Sequence, residues 1–148
     1  MSKPQPDAPP GSRLQRTRLT VIAGPLVAPV LTRVILAHAS RAQFPVDVLN
    51  DAQLLAEALA SRAPALTDDG RVPMSVQSEP GLLEIRVGPL QTGGSRSLLD
   101  AAAIPGTGRV VERLADEVHV RTGASGAETL VLVLRLPAAT RGNMARHV

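Results

Sequence analysis

Cysteine, tryptophan and tyrosine are absent from this chain of 148 residues, and Phe44 is its single aromatic residue. Without cysteine the chain has no disulfide, no thiolate metal site and no cysteine nucleophile. The absence of disulfides is typical of cytoplasmic proteins. Long apolar runs are also absent: none approaches the roughly 18 residues of a membrane-spanning helix, and residues 1–17 lack the apolar centre of a signal peptide. The sequence therefore predicts a cytoplasmic protein with no membrane association.

Lysine is nearly absent as well, since Lys3 is the only one. Few groups have a pKa between those of histidine and arginine, so the isoelectric point of 10.9 reflects the composition. The net charge is only +3. Residues 1–18 carry a net +3 and residues 137–148 a net +2, which leaves −2 for residues 19–136. Nucleic-acid-binding domains concentrate basic charge on a folded face with stacking aromatics. The sequence thus predicts no nucleic-acid partner.

What is present is the composition of one folded domain, with 44% hydrophobic and 20% charged residues. Residues 1–17 are polar and contain Pro4, Pro6, Pro9 and Pro10, which predicts a disordered, Pro-rich leader. Residues 137–148 are predicted to form a basic flexible tail. The folded domain is therefore expected over residues 18–136.

Hydrophobic periodicity predicts the elements of the first half of this domain. Residues 18–23 alternate as in a strand, and residues 26–42 place apolar side chains at helical spacing. Pro29 is compatible with the first turn of that helix, where its missing N–H costs little. A second helix is predicted over 48–63, with Asp47 as its N-cap residue and Pro64 as its end.

The second half of the domain is predicted to be richer in strands. Residues 72–76 and 83–87 alternate around the turn Glu79-Pro80-Gly81 and form a predicted hairpin. A loop over 88–97, a short helix over 98–103 and a helix over 110–115 follow, then a strand with Val118 and Val120 facing inward, and a central strand over 129–136. This order predicts an α/β two-layer sandwich whose mixed, mostly antiparallel sheet carries the helices on one face.

A glycine turn leads into the segment RVVERLADEVHV and then TLVLVLRL. This pattern and the element order resemble the histidine-kinase-like ATPase fold, closest to the small anti-sigma-factor serine kinases and the actinobacterial ATP-binding regulators similar to them. The resemblance covers roughly residues 18–136, and its most specific stretch is 106–120. It implies a Mg-ATP site built from three groups of residues.

The first group that the resemblance implies is an acid that acts as a base and an asparagine one turn later that holds Mg²⁺. On the predicted second helix, Glu57 is the nearest acid, and the residue four positions on is Ser61. Counting from Asp51 instead places the acid at Ala58 and the asparagine at Arg62. The asparagine is missing in both registers. Glu57 is therefore a candidate catalytic base or, alternatively, a solvent-facing helix charge.

The second implied group is an aspartate after the third strand, which reads the adenine amino group, followed by spaced glycines. Pro89 occupies the aspartate position and offers no side-chain acceptor. Gly93 remains as a candidate cofactor-binding residue, and a flexible connection is the alternative interpretation.

The third implied group is a glycine turn before a helix, where backbone N–H groups hold phosphates. Gly106 and Gly108 keep both glycines, and Arg109 follows. All three are candidate nucleotide-binding residues. For Arg109 the alternative is a surface residue in the first turn of a helix.

No metal site is predicted, because His38, His119 and His147 show no spacing typical of a ligand pair. His38 lies on the apolar face of the first predicted helix and is interpreted as a packed or helix-edge histidine.

Three functional hypotheses follow. The leading one is a regulatory, non-enzymatic protein-binding module that resembles anti-sigma-factor kinases and binds ATP weakly or not at all. The alternative is an active Mg-ATP-dependent serine/threonine protein kinase that uses Glu57 and phosphorylates an anti-sigma-factor antagonist. A structural domain tethered by the Pro-rich leader is the third. The resemblance implies a sigma factor or an anti-sigma-factor antagonist as partner, and homodimerisation.

Overall fold

The computed structural model describes residues 14–101, 103–104, 108–109, 111 and 115–136. The elements are β1 (Gln15–Val21), α1 (Val27–Arg41), α2 (Val46–Arg62), a short 3-10 helix (Ala63–Leu66), β2 (Val72–Glu79), β3 (Leu82–Leu90), α3 (Gly94–Ala101), β4 (Ala103–Ile104), β5 (Gly108–Arg109), β6 (Glu117–Thr122) and β7 (Glu128–Arg135).

Five strands form the main sheet in the order β1-β2-β3-β7-β6, and β4 pairs with β5 in a separate two-stranded ribbon. Every pairing among the described strands is antiparallel. The predicted α/β class is therefore confirmed, and the architecture agrees with a two-layer sandwich. The predicted mixed sheet also had a parallel component. The described strands do not show it, because each of them runs antiparallel to its neighbours.

One face of the sheet and three helices share a single hydrophobic core. Alternation places Val72, Met74 and Val76 of β2 in this core, while Pro73 and Glu79 of the same strand are exposed. The largest fully buried side chains of the helices and the central strands are Leu31, Ile35, Leu55, Leu59, Leu83, Ile85, Leu90, Leu98, Leu130, Leu132 and Leu134. The predicted hairpin and the predicted central strand β7 are both confirmed.

The start of the domain differs from the prediction at two places. β1 begins at Gln15, opposite Ser78, so three residues of the predicted leader belong to the sheet. α2 begins at Val46, with Pro45 and not Asp47 as its N-cap residue. Pro45 has an extended backbone, and its carbonyl accepts the N–H groups of Val48 and Leu49 at 3.0 and 3.1 Å. Residues 1–13 and the predicted tail, 137–148, lie outside the described residues.

The region after β3 shows the largest departure from the prediction. The predicted loop over 88–97 and helix over 98–103 are replaced by a longer β3 and by α3, which begins at Gly94. Gly94 allows this, because a Cβ there would lie 2.9 Å from the Cβ of Leu90 and 3.5 Å from that of Leu66. Of the helix predicted over 110–115, the described residues show the Ala115 N–H donating to the Val111 carbonyl at 2.8 Å.

β6 is an edge strand, and this explains a second error. Val120 was predicted to face inward, yet it is 48% exposed, whereas Val118 is partly buried against the core. An edge strand has a neighbouring strand on one side only, so its side chains are less buried than those of a central strand. None of the helices in the described ranges combines the length and apolar character that crossing a bilayer requires.

Candidate functional site

The candidate site lies where β3 ends and α3 begins. Val87 is opposite Leu130 and Leu90 is opposite Glu128, so two residues of β3, Gly88 and Pro89, face a single residue of β7. This is a β-bulge, which shifts the inward position of the strand by one residue. Leu90 is 1% exposed and lies in the core, while Pro89 is exposed. The position that the resemblance assigns to a base-reading aspartate is therefore displaced outward, and a leucine takes the next inward position.

The backbone N–H groups at the start of α3 are occupied by a carboxylate of this chain. The Gly93 N–H donates to Glu128 Oε2 at 2.9 Å, and the Ser95 N–H donates to Glu128 Oε1 at 3.2 Å. These two hydrogen bonds lower the pKa of Glu128 below its ordinary value of 4.5, and the bond from Gly93 has the larger effect. A glycine-rich turn before a helix is a place where anions bind, and here the anion is Glu128.

Sequence reasoning did not identify Glu128. Its side chain reaches the turn before α3 because β7 pairs with β3. Gly93 and Glu128 are 35 residues apart in the chain. A second contact reinforces the same corner, since the Thr92 hydroxyl donates to the Gly126 carbonyl at 2.8 Å. The only signal in the sequence was a carboxylate at the first position of a strongly apolar strand.

The catalytic candidate lies on a different element. Glu57 is on the exposed side of α2, between the buried residues Ala56 and Leu59. Ser61, one turn later, is also exposed, and its hydroxyl donates to the Ala58 carbonyl of the same helix at 3.2 Å. In the other register Ala58 is partly buried and Arg62 is exposed. Neither register places an asparagine one turn after the acid, so the Mg²⁺ ligand that the resemblance implies is missing from Ser61 and from Arg62.

The third group of candidates is only partly described. Gly108 and Arg109 form β5, which pairs with Ala103–Ile104, and the helical residue Val111 follows Arg109 by two positions. Gly106 lies outside the described residues. The candidates thus belong to three elements: Glu57 to α2, Gly93 to the turn before α3, and Gly108 with Arg109 to β5.

An open cleft of about 800 Å³ lies beside the bulge. Its polar lining contains both charges, from Asp68, Asp69 and Arg71, together with uncharged polar side chains, which are Thr20, Thr67, Gln91, Thr92 and Ser125. Asp69 is engaged in its own turn, because its Oδ1 accepts the Arg71 N–H at 3.0 Å, as expected for the predicted turn at 67–70. Within the described ranges no group of three or more histidine or acidic side chains is arranged to hold a metal ion.

No protein-family model matches the chain, and no curated protein matches it at a significant level. The resemblance to histidine-kinase-like ATPases therefore stays a prediction, carried by the element order and by residues 106–120. The α/β fold class stands independently of it, on the described helices and strands.

The Glu128 contact leads to a prediction about acid stability. A carboxylate whose pKa is lowered by folding stabilises the protein above its ordinary pKa, and this stabilisation is lost as the pH falls through the lowered value. We expect Glu128→Gln to lower the melting temperature at pH 7. Below pH 4.5 the melting temperature of the variant should then fall less with decreasing pH than that of the unsubstituted protein. Melting curves followed by far-ultraviolet circular dichroism between pH 7 and pH 3 measure both effects.

Glu57→Gln is the matched control, because Glu57 is exposed on α2 and the substitution removes the same charge. It is expected to leave the pH profile of the melting temperature close to that of the unsubstituted protein. Identical profiles for Glu128→Gln and the unsubstituted protein would contradict the capping role of Glu128.

Proposed function

We propose that this chain is a regulatory protein-binding module with an anti-sigma-factor-kinase-like fold that has lost productive Mg-ATP binding. One observation carries the proposal: the carboxylate of Glu128 accepts the Gly93 and Ser95 N–H groups. Gly93 is the remaining glycine of the second implied group, and any anionic part of a nucleotide at this turn would have to displace a carboxylate that is covalently part of the protein. Two anions sharing these donors would also repel each other strongly at short range.

Two further features support the loss of nucleotide binding. The side chain that follows Val87 into the core is Leu90, which offers no acceptor to an adenine amino group. A site that lacks its polar contact to a base edge loses discrimination for that base. On α2, Ser61 takes the position one turn after Glu57, and its hydroxyl bonds within the helix. The chemistry of this donor set does not fit Mg-ATP.

The partner belongs to the same proposal. The resemblance implies a sigma factor or an anti-sigma-factor antagonist, and pairing between two copies of the chain. The absence of cysteine supports a cytoplasmic location. Regulation by this module would then operate through binding equilibria and not through phosphoryl transfer.

Titration of the full chain with Mg-ATP and with Mg-ADP tests the loss of nucleotide binding. A ligand that binds only the folded state raises the free energy of unfolding by RT ln(1 + [L]/Kd), so millimolar nucleotide with a micromolar Kd adds about 4 kcal/mol. We expect no binding heat at micromolar protein and no change in the melting temperature at millimolar nucleotide.

Micromolar Mg-ATP binding would overturn the proposal and favour the kinase alternative. In that case Glu57→Gln should abolish phosphoryl transfer to a serine-bearing antagonist while leaving nucleotide binding unchanged. Transfer that survives this substitution would exclude Glu57 as the base.

A further inference from the structure

Charge is distributed very unevenly between the first two elements and the rest of the domain. Residues 14–46 contain four arginines and no acidic residue, whereas residues 47–136 contain twelve acidic residues and eight arginines. The four arginines are Arg16 and Arg18 on β1 and Arg33 and Arg41 on α1. The strand and helix at one margin of the sheet therefore form a basic unit on an otherwise acidic domain.

β1 is a sheet edge that is open to pairing. Among the described strands it pairs with β2 alone, through the register from Gln15–Ser78 to Val21–Val72. Its outer side therefore presents a row of backbone N–H and C=O groups over seven residues, a length of ~23 Å. Such an edge is a template for an additional strand.

A groove runs between this edge and α1, and its lining comes from these two elements only. It holds a cavity of about 250 Å³, bounded by Thr17 of β1 and by residues of α1. The α1 residues are Arg33, Val34, Ala37, His38 and Arg41. No residue of β2 or α2 lines it, which places it at the margin of the sheet and next to the free edge.

The strand and the helix run in opposite directions along the groove. Arg41 Nη1 donates to Gln15 Oε1 at 3.3 Å, and one turn back His38 Nε2 lies 2.7 Å from Thr17 Oγ1. This end of the groove carries the guanidinium of Arg41, with that of Arg33 two turns further along the helix.

Beyond the lining of the groove, exposed apolar side chains lie where β1 ends and α1 begins. Ile22, just after β1, is 49% exposed, Leu26, the N-cap residue of α1, is 74% exposed, and Val30 on the first turn is 55% exposed. Leu26 and Val30 are four residues apart and therefore share one face of the helix. The surface thus has Arg41 at one end and exposed apolar side chains at the other, with Arg33 and the strand edge between them.

We propose that this groove binds an extended segment of a partner protein, acidic at one end and apolar at the other, which adds to the sheet as a strand beside β1. The proposal rests on the proposed function as a protein-binding module and specifies its surface and the chemistry of its partner. Backbone pairing supplies affinity that does not depend on sequence, and the two ends of the groove fix the direction of the peptide.

Charge excludes the occupants that the chain itself offers. Residues 1–13 carry a net +1 and residues 137–148 a net +2, the same sign as the groove. In a second copy, β6 brings Glu117, which is already bound to Arg135 at 2.7 Å, together with Arg121. Nucleic acid would match the charge, but no aromatic lines the groove for stacking, since Phe44 is buried and 7% exposed.

The probe is a fluorescent peptide of about eight residues, enough to pair along the seven residues of β1. One half alternates valine with threonine, and the other half alternates glutamate with threonine. Both sequence directions are tested on the full chain by fluorescence anisotropy. We expect one direction to bind, with an affinity that falls about tenfold when every glutamate is replaced by glutamine and that weakens as salt is added.

Charge reversal in the protein provides the reciprocal test. The double variant Arg33→Glu, Arg41→Glu is expected to weaken binding about tenfold or more. Arg121→Glu, an exposed residue on the opposite edge strand, is the matched control and is expected to change binding less than twofold. Circular dichroism of each variant verifies folding, and the glutamine peptide tests the same charge contact on the unsubstituted protein.

Amide hydrogen exchange locates the bound peptide. We expect new protection within residues 15–21 and at neighbouring residues of α1. Three results would each overturn the proposal. The first is that neither peptide direction binds, and the second is that protection is confined to other elements. The third is that a single-stranded oligothymidylate of the same length binds more tightly than the peptide and that the double variant loses this binding as well. The Mg-ATP titration is independent of these measurements, so failure here leaves the loss of nucleotide binding standing.

Discussion

Replacing Gly88 with alanine is expected to lower the free energy of unfolding by about 3 kcal/mol or more. Gly88 has φ +143°, which L-residues rarely adopt, and it occupies the bulge where β3 meets β7. A Cβ there would lie 2.7 Å from the Glu128 carbonyl oxygen and 3.0 Å from Thr129 Cα. Both atoms belong to the backbone of a central strand, so the clash is relieved only by opening the β3–β7 pairing.

Gly70→Ala is the matched control for this substitution. Gly70 also has a positive φ, +72°, but nothing lies within 4 Å of a Cβ built there. Its replacement therefore costs only the strain of the left-handed conformation, about 1 kcal/mol. Urea unfolding followed by far-ultraviolet circular dichroism gives both values. Equal losses for the two variants would show that close approach of the strands contributes nothing at Gly88.

The second large effect is expected at His38, for which His38→Ala should cost about 2–4 kcal/mol. The side chain is 4% exposed and lies between two hydroxyl groups, Thr17 Oγ1 at 2.7 Å from Nε2 and Ser78 Oγ at 2.6 Å from Nδ1. It thereby connects α1 to both β1 and β2. Alanine leaves a cavity and removes the hydrogen-bond partner of the Ser78 hydroxyl, and Ser78 is 1% exposed and cannot turn to solvent.

A double-mutant cycle with Ser78→Ala separates these contributions. Each single variant leaves the other member of the His38–Ser78 pair without its partner, and His38→Ala also removes the partner of Thr17. The double variant should therefore cost clearly less than the sum of the two. Strictly additive losses would contradict a direct His38–Ser78 interaction. Urea unfolding at pH 8 provides the four free energies with the histidine neutral.

The same histidine predicts a pH dependence. Burial, and secondarily the charge of Arg41, lower the pKa of His38 from its ordinary value of 6.5. The unfolded chain therefore takes up a proton before the folded protein does, and stability falls as the pH drops below about 6.5. His38→Gln should remove this decline, whereas His119→Gln, at an exposed position of β6, should retain it. A decline that survives His38→Gln would assign it to other groups.

The sequence predicted those parts of the fold whose causes are local. The alternation around Glu79-Pro80-Gly81 identified the hairpin of β2 and β3, because one strand face is buried over its whole length. Apolar spacing after Gly24-Pro25 identified α1, with Pro29 in its first turn as predicted. For the candidate site, the absence of an asparagine four residues after Glu57 and the presence of Pro89 after β3 were likewise evident from the sequence.

The errors occurred where a distant partner decides the local structure. α3 begins at Gly94 and not at Leu98, because Leu90 packs against that glycine and Glu128 accepts the N–H groups around it. Pro45 replaces Asp47 as the N-cap residue because α2 starts directly after the turn that ends α1, in which the Phe44 N–H donates to the Ala39 carbonyl at 3.1 Å. Val120 is exposed because β6 lies at the sheet edge.

By itself, the sequence determined the α/β class, the absence of cysteine chemistry, the missing Mg²⁺ ligand and the concentration of arginine in residues 14–46, because these depend on residue identity and local periodicity. Only the tertiary structure decided that the Gly93 turn is filled by Glu128, that a bulge sends Leu90 inward, and that Arg33 and Arg41 line a groove beside a free strand edge. Each of these depends on strand pairing between residues far apart in the chain, and pairing order is set by the packing of the whole core.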